Sequence, residues 1–411
     1  MTRLTLARDK IRVLLLEGVH DSAVATFAAA GYGQVERLDG ALDRDELAER
    51  LASAHIVGIR SRTQLDGELL RGASKLFAIG TFCIGVNQVD LDAARLLGVP
   101  VFNAPYANTR SVAELVIGEI ILLQRRVPWL SALAHAGVWQ KGARGAHEVR
   151  GKVLGIVGYG HIGSQVSALA EAFGLQVRYH DIEPKLTLGN AQPCTSLDEL
   201  LTISDIVTLH VPATELTQGM IGANEIARMK AGALLINASR GDVVDLDALA
   251  EALRGGHLSG AAVDVFPTEP TSAAAVFSSQ LQGLDNVILT PHIGGNTEEA
   301  QEGIGREVAD KLIRYSDSGS TQGAVNLVEV SLPVQRDRTR FLHIHHDRPG
   351  VLAAVNRAFS SRDLNIAGQY LRTDGQVGYV VIDVHGQAEE GAEIKAELEA
   401  IDATIRVRFL F

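Results

Sequence analysis

Three polar side chains in the second half of the chain, Arg240, Glu269 and His292, have the types needed for acid–base chemistry on a carboxylic acid. A carboxylate such as Glu269 stabilises a protonated imidazole and raises its pKa, so His292 could hold a proton and donate it. Arg240 offers a planar guanidinium whose donors match a carboxylate. Singly, each has an ordinary interpretation as a surface ion pair, a loop acid or a capping histidine. Together they predict the reduction of a 2-keto acid, which needs a cation, a proton donor and a group that orients the donor.

A glycine-rich segment precedes these residues and has the spacing Gly158-x-Gly160-x-x-Gly163. It follows an apolar strand predicted at residues 152–157 and opens a helix predicted at residues 162–173, which is the context that a dinucleotide site requires. His161 and Ile162 fall in the first helical turn, where the pyrophosphate would meet backbone N–H groups and the positive end of the helix dipole. Asp181 stands at the end of the next strand, where it would bind the ribose diol and repel a 2′-phosphate. The segment therefore predicts NAD as the cofactor.

The elements around these residues alternate between strands and helices. The first part has predicted strands at 11–16, 55–59, 76–79 and 100–102, with helices at 21–30, 43–51 and 91–97. A second series places strands at 152–157, 176–180, 205–210, 233–237, 260–265 and 287–290. This alternation predicts two Rossmann-like, doubly wound parallel-sheet domains of the α/β class. Arg240, Glu269 and His292 each follow a strand of the second series, at the edge where such sheets bind ligands.

Two long helices are predicted, one near the start of the second series and one after its end. The spacing of Ser111 and Glu114 is that of a capping box and predicts the start of a long apolar helix. A second long helix is predicted at 298–315 and is followed by a polar, glycine-bearing break at 316–323.

The tail has a different order of elements. Predicted strands at 339–345, 365–372, 378–385 and 404–411 and helices at 350–361 and 388–400 give the ferredoxin-like β-α-β-β-α-β arrangement. His343 and His345 lie on one face of the first of these strands, and His346 lies on the other. Two histidines without a nearby third ligand do not predict a metal site.

Composition excludes several classes of protein. The chain of 411 residues suits two or three domains, and its net charge of −11 argues against a nucleic-acid scaffold. Cys83 and Cys194 are the two cysteines, which favours a reducing compartment. The longest apolar stretch, 112–123, contains Glu114 and Glu119 and is too short to span a membrane. The first residues are predicted to form a strand, not a signal peptide. We therefore expect a cytoplasmic protein that does not bind membranes.

The sequence resembles the D-isomer-specific 2-hydroxyacid dehydrogenase family over essentially its whole length. The resemblance rests on the glycine-rich segment and on the motifs at 58–63, 102–115, 237–241, 264–270 and 290–295. It is strongest with short bacterial members that oxidise D-3-phosphoglycerate to 3-phosphohydroxypyruvate, the first step of L-serine biosynthesis, and carry a C-terminal ACT domain. The resemblance implies Arg240, Glu269 and His292 as catalytic residues, with His292 as the proton donor. Its implied NAD contacts are Gly158, Gly160, His161, Ile162, Gly163, Asp181, Ala238, Ser239, Arg240, Asp264, His292, Ile293, Gly294 and Gly295.

The family also implies a domain organisation. A substrate-binding domain would comprise residues 1–108 with a return segment at 296–335. The NAD-binding domain would comprise 109–295, and the ACT regulatory domain 336–411. The family relation further implies a homo-oligomer, with a tetramer expected.

A phosphorylated substrate carries two anionic groups, so Arg240 alone should not suffice. Arg60 and Arg62, at the end of a predicted strand, are placed to meet the phosphate, with Ser61 and Asn108 as further donors. The resemblance adds Lys141, acting in its own or in a neighbouring subunit. The substrate set is Arg60, Ser61, Arg62, Asn108, Lys141 and Arg240.

The resemblance also implies that L-serine binds between paired tails, at positions matching His345, Asp347 and Asn365. Asp347 departs from the family, whose serine-inhibited members have asparagine there, and it cannot donate to the serine carboxylate. A glycine pair that these members carry before the tail is replaced around residues 335–338. Serine regulation is therefore expected, with altered strength.

Two alternatives stay open at this point. Another member of the same family could reduce glyoxylate, hydroxypyruvate or 2-oxoglutarate, and 2-oxoglutarate, a dianion, is expected as a side substrate. A nucleotide-sensing corepressor is a different class of protein on the same fold. The complete catalytic set and the amino-acid-binding tail argue against the corepressor.

Overall fold

The computed structural model describes residues 6–270, 275–333, 338–385 and 391–410. The chain forms two compact units, one of Met1–Ala107 together with Gln301–Phe411, and one of Asn108–Ala300.

The first unit begins with a parallel sheet of five strands. Its strands are β1 (Arg12–Leu15), β2 (Gln34–Arg37), β3 (Ile56–Ile59), β4 (Ala78–Thr81) and β5 (Val101–Asn103). Its helices are α1 (Asp21–Ala29), α2 (Arg44–Leu51), α3 (Gly67–Gly72) and α4 (Leu91–Leu96). The strand order is β2-β1-β3-β4-β5. Sequence patterns missed β2 because it is an edge strand of mostly exposed residues and so lacks an apolar run.

The second unit contains a parallel sheet of seven strands in the order β12-β11-β10-β9-β6-β7-β8, numbered along the chain. Apolar clusters cover both faces of this sheet, as a doubly wound fold requires. The strands are β6 (Val153–Val157), β7 (Gln176–His180), β8 (Gln192–Pro193), β9 (Ile206–Leu209), β10 (Ala233–Asn237), β11 (Leu258–Val263) and β12 (Val287–Leu289). The helices are α5 (Thr109–Gln124), α6 (Val127–His135), α7 (His161–Ala172), α8 (Leu197–Ile203), α9 (Ala223–Arg228) and α10 (Leu246–Arg254).

The capping box predicted at Ser111 is wrong. Helix α5 begins earlier, at Thr109, with Asn108 as the N-cap residue. Ser111 is already inside the first turn, and its hydroxyl forms a hydrogen bond with that of Thr297 (2.9 Å). Glu114 pairs with Arg110 instead of reaching back to the cap.

A long helix, α11 (Glu298–Ser318), follows the second sheet. The break predicted from residue 316 onward is wrong at its start, because the helix continues to Ser318. Ser316 and Ser318 are buried. The hydroxyl of Ser318 donates to the carbonyl of Arg314 (2.7 Å), so the polar group of Ser318 is satisfied within the helix. Among the helices of the described residues, none combines the length and the apolar character needed to cross a membrane.

The tail forms an antiparallel sheet covered by two helices. Its elements are β13 (Arg338–His346), α12 (Val351–Ser360), β14 (Ile366–Thr373), β15 (Val377–His385), α13 (Gly391–Glu399) and β16 (Thr404–Leu410). The strand order is β14-β15-β13-β16. This is the predicted β-α-β-β-α-β arrangement. Together with the two parallel sheets, it confirms the predicted fold class.

Candidate active site

The glycine-rich loop joins β6 to α7 and leaves the start of the helix open. Gly158 has φ of +89°, and a Cβ there would lie 2.5 Å from the carbonyl oxygen of His210. A Cβ at Gly160, the N-cap of α7, would meet no atom within 4 Å. No side chain caps the helix, so its first backbone N–H groups suit an anionic ligand. The loop therefore fits the pyrophosphate of a dinucleotide.

Asp181 follows β7 and braces this loop. Its carboxylate accepts hydrogen bonds from the backbone N–H groups of Tyr159 (2.8 Å) and Glu183 (3.0 Å). Lys185 lies 3.8 Å from the same carboxylate. Each carboxylate oxygen retains a further lone pair, so the ribose diol could still donate to it.

His292 and Glu269 form the predicted pair. Nδ1 of His292 lies 2.9 Å from Oε2 of Glu269. The hydrogen bond with Glu269 raises the pKa of His292 above its ordinary value, against the effect of burial. Burial acts to raise the pKa of Glu269, but the hydrogen bond from His292 and the charges of His292 and Arg240 outweigh it and the pKa is lowered. The pair therefore favours protonated imidazole beside ionised carboxylate.

Asp264 holds the loop that carries His292. Its buried carboxylate accepts hydrogen bonds from the hydroxyl of Thr290 (2.6 Å) and from the N–H groups of Ile293 and Gly294 (both 2.8 Å). Its carbonyl accepts from the N–H of His292 (2.8 Å). His292 has φ of +54°, a conformation that is uncommon for a non-glycine residue. These four bonds hold the backbone that carries the imidazole at the carboxyl end of the sheet.

Arg240 lies in a turn after β10 that packs against the segment bearing Glu269. A Cβ on Gly241 would lie 2.0 Å from the backbone carbon of Phe266, so the two segments touch. The side-chain amide of Asn237 donates to the carbonyl of Arg240 (3.0 Å). Asn237 belongs to the motif seen in the sequence, but its bracing role was missed because the motif does not show which partner its amide binds.

A further acid lies close to Asp264 and was not predicted to have a role. Glu119, on α5, is 2% exposed, and neither of its carboxylate oxygens has a hydrogen-bond partner in the described structure. Burial, and after it the charge of Asp264, raises the pKa of Glu119 to about 8. The sequence did contain a signal that Glu119 is buried, because it has helical spacing from the apolar residues Val116 and Leu123 and so shares their face of the helix.

In the first unit, Arg60, Ser61 and Arg62 form a loop after β3 that is held by Glu17. The buried carboxylate of Glu17 accepts from the backbone N–H groups of Arg60 (3.2 Å), Arg62 (2.9 Å) and Thr63 (2.8 Å). Burial acts to raise the pKa of Glu17, but these hydrogen bonds outweigh it and the pKa is lowered. Sequence reasoning missed Glu17.

Two predicted substrate residues lie in the second unit. Asn108 is buried, and its side-chain oxygen accepts no hydrogen bond within the described residues. Lys141 lies on an exposed segment between α6 and β6.

The tail does not bring its predicted effector residues together within one chain. His345 and Asp347 lie at the end of β13, where the hydroxyl of Thr373 donates to Asp347. Asn365 precedes β14. The first residue of β14 and Thr339, near the start of β13, pair with the same residue of β15. The rings of His343 and His345 stack with centroids 5.1 Å apart, as their predicted common face requires. Asn365 is thus at the opposite end of the sheet from His345.

Comparison with known proteins agrees with this geometry. A sequence profile described as "D-isomer specific 2-hydroxyacid dehydrogenase, NAD binding domain" matches residues 117–294. A protein of Escherichia coli K12 named D-3-phosphoglycerate dehydrogenase is 56% identical over 411 residues, which is 100% of both chains. The chain belongs to the D-isomer specific 2-hydroxyacid dehydrogenase family. It is an NAD-dependent oxidoreductase.

Other relatives extend the family match. A Haemophilus influenzae protein, also named D-3-phosphoglycerate dehydrogenase, is 55% identical over 100% of this chain and 99% of its own. The crystal structure of a D-lactate dehydrogenase from Aquifex aeolicus, complexed with NAD and lactic acid, has a TM-score of 0.68 and 28% identity; the match covers 77% of this chain and 100% of that one. A profile described as "AHAS small subunit-like ACT domain" matches residues 341–406. This dehydrogenase therefore carries a C-terminal ACT domain.

Proposed function

We propose that this dehydrogenase oxidises D-3-phosphoglycerate to 3-phosphohydroxypyruvate, the first step of L-serine biosynthesis. The observation that carries the proposal is the 2.9 Å pair of His292 and Glu269, which lies in the same unit as Arg240 and the dinucleotide loop. The full-length relatives named D-3-phosphoglycerate dehydrogenase support the choice of substrate.

The chemistry follows from which imidazole nitrogen is free to react. Nδ1 of His292 faces Glu269, so it carries a proton and Nε2 faces the substrate. In the oxidation, Nε2 accepts the proton of the substrate hydroxyl, while the substrate carboxylate pairs with the guanidinium of Arg240. Bound NAD supplies the hydride acceptor. In the reverse reduction, Nε2–H of protonated His292 returns the proton to the carbonyl oxygen.

We propose that Arg60 and Arg62 bind the substrate phosphate, with Ser61, Asn108 and Lys141 as additional contacts. Support comes from the geometry of the loop, because the carboxylate of Glu17 accepts hydrogen bonds from its backbone N–H groups and so holds the loop in place. Arg62 Nε lies 3.7 Å from Glu17 and is therefore partly neutralised. We therefore expect Arg60 to contribute more to phosphate binding. The same cations would let 2-oxoglutarate, another dianion, serve as a side substrate.

A substrate panel tests this proposal. Oxidation of NADH is followed with 3-phosphohydroxypyruvate, hydroxypyruvate, glyoxylate and 2-oxoglutarate. The phosphorylated substrate should have the highest kcat/KM, and Arg60→Ala should raise its KM more than that of hydroxypyruvate. Arg372→Ala, at an exposed position of the ACT domain, is the matched control. A preference for hydroxypyruvate over its phosphate in the unaltered enzyme would refute the proposed substrate.

We further propose that L-serine binds between two ACT domains of a homotetramer. Support comes from the separation of Asn365 and His345 at opposite ends of the sheet, because a two-fold pairing can place one end beside the other. Serine binding would then require two chains. Asp347 supplies an acceptor where a donor to the serine carboxylate is expected, so binding should be weak.

The regulatory proposal has its own measurement. Serine inhibition of the full-length enzyme is compared with that of Asp347→Asn and Asn365→Ala, and the mass in solution is measured with and without serine. Asp347→Asn should tighten inhibition by about 10- to 150-fold, the effect of one added hydrogen bond to a charged group. Asn365→Ala should abolish it. Equal inhibition of all three proteins would contradict the assignment of this site.

A further inference from the structure

A cleft of about 470 Å³ lies where the last strand of the ACT domain meets the first sheet, within the first compact unit. One wall is β16, which contributes Arg406 and Arg408. The other wall includes His55 at the start of β3 and Lys75 just before β4. The volume lies within the range of about 300–1,000 Å³ typical of small-molecule sites. None of its lining residues belongs to the proposed substrate, NAD or serine sites.

The charges in this cleft are mostly positive, although the net charge of the chain is −11. Within the described ranges, Lys75, Arg406 and Arg408 form no ion pair with a carboxylate. The acid that lines the cleft, Glu399, pairs with Lys395 at 3.3 Å. The cleft therefore has an uncompensated positive charge.

The two arginines are held in place by neutral groups. Arg406 donates to the carbonyls of Leu97 (3.0 Å) and Leu76 (2.6 Å). The guanidinium of Arg408 lies 3.9 Å from the ring centroid of Phe77, and a second ring, that of Tyr315, is 5.2 Å away. These contacts orient both cations without cancelling their charge. Such preorganisation lowers the entropy cost of binding an anion.

His55 provides a neutral donor in the same place. Its Nδ1 accepts the backbone N–H of Arg12 (3.0 Å), so the ring proton is on Nε2. Burial, and then the charges of Lys75, Arg12 and Arg408, lowers the pKa of His55. The ring is thus uncharged at neutral pH and can donate a hydrogen bond.

We propose that this cleft binds a small phosphate-bearing molecule. A phosphate group carries the double charge and several acceptor oxygens that two fixed arginines, a lysine and an N–H donor can satisfy. The cleft has room for an organic part beside the phosphate. Its two walls belong to the first sheet and to the ACT domain, so an occupant would bridge them.

Calorimetric titration of the full-length enzyme tests the proposal. The ligands are glycerol 2-phosphate, which is not a 2-hydroxy acid, and inorganic phosphate, both at constant ionic strength. The titrations use an Arg60→Ala, Arg62→Ala background, which removes the phosphate contacts proposed for the substrate. Saturable binding is expected, and Lys75→Glu should weaken it by about 10- to 100-fold, because a charge-assisted contact is replaced by repulsion.

Arg372→Glu is the matched control, since Arg372 is also exposed and lies on β14, at the opposite edge of the sheet from β16. It should bind like the parent. Tighter binding of glycerol 2-phosphate than of phosphate would identify an organic phosphate as the ligand class, whereas equal affinities would identify the free ion. No saturable binding, or equal losses in Lys75→Glu and Arg372→Glu, would overturn the proposal.

Discussion

Replacing Glu119 by glutamine should make the protein more stable at alkaline pH. The folded state holds this carboxyl in an apolar layer without a hydrogen-bond partner among the described residues and close to the charge of Asp264. Glutamine has nearly the same shape and cannot ionise. The substitution therefore removes a charge penalty and leaves the packing of α5 almost unchanged.

The magnitude follows from the pKa, which is raised from 4.5 to about 8. One pKa unit corresponds to about 1.4 kcal/mol, so fully ionised Glu119 should destabilise the fold by about 5 kcal/mol. The unfolded chain loses this proton near the ordinary pKa, while the folded chain keeps it until about pH 8. The contribution of Glu119 to the free energy of unfolding therefore falls as pH rises between these two values, and it stays constant above them.

Urea unfolding of both proteins at several pH values measures this difference. Near about pH 4 the two free energies of unfolding should agree within about 1 kcal/mol, because Glu119 is protonated in most molecules of both states. Near about pH 9 the variant should be more stable by a few kcal/mol. Glu114→Gln is the control on the same helix, since Glu114 is 59% exposed and should show no such trend. A difference between Glu119→Gln and the parent that does not change with pH would refute the reasoning.

Three further predictions concern the catalytic and cofactor residues. His292→Ala should lower kcat by about 10²- to 10⁴-fold while NADH still binds, as measured by turnover and by NADH fluorescence; near-normal turnover would exclude it as the proton donor. Glu269→Gln should shift the upper pH limit of keto-acid reduction to lower pH, because the pKa of His292 is no longer raised by the carboxylate; an unchanged pH profile would contradict this coupling. Asp181→Ala should narrow the preference for NADH over NADPH, with Glu183→Ala as the control; a parent enzyme that uses both cofactors equally would remove the basis of this prediction.

The sequence by itself predicted the parts of the molecule that depend on local geometry. The glycine-rich loop was recognised because its spacing directly follows a strand and directly precedes a helix. The His292–Glu269 pair was predicted because both residues follow neighbouring parallel strands, whose carboxyl ends meet at one edge. The tail was predicted because its six elements are short, regular and separated by clear turns. Local misjudgements, at Ser111 and at residue 316, came from polar residues that lie inside a helix.

Tertiary structure alone decided which distant groups meet. No local pattern indicates that Glu17 holds the loop of Arg60 and Arg62, or that Glu119 faces Asp264. The same holds for Arg406 and Arg408, which strand periodicity places on β16 without showing that their partners are carbonyls and rings outside the ACT domain. Periodicity fixes the face on which a residue lies, but the partner depends on how separate elements pack. Packing is a property of the whole chain, because each contact competes with all others for burial and hydrogen bonds.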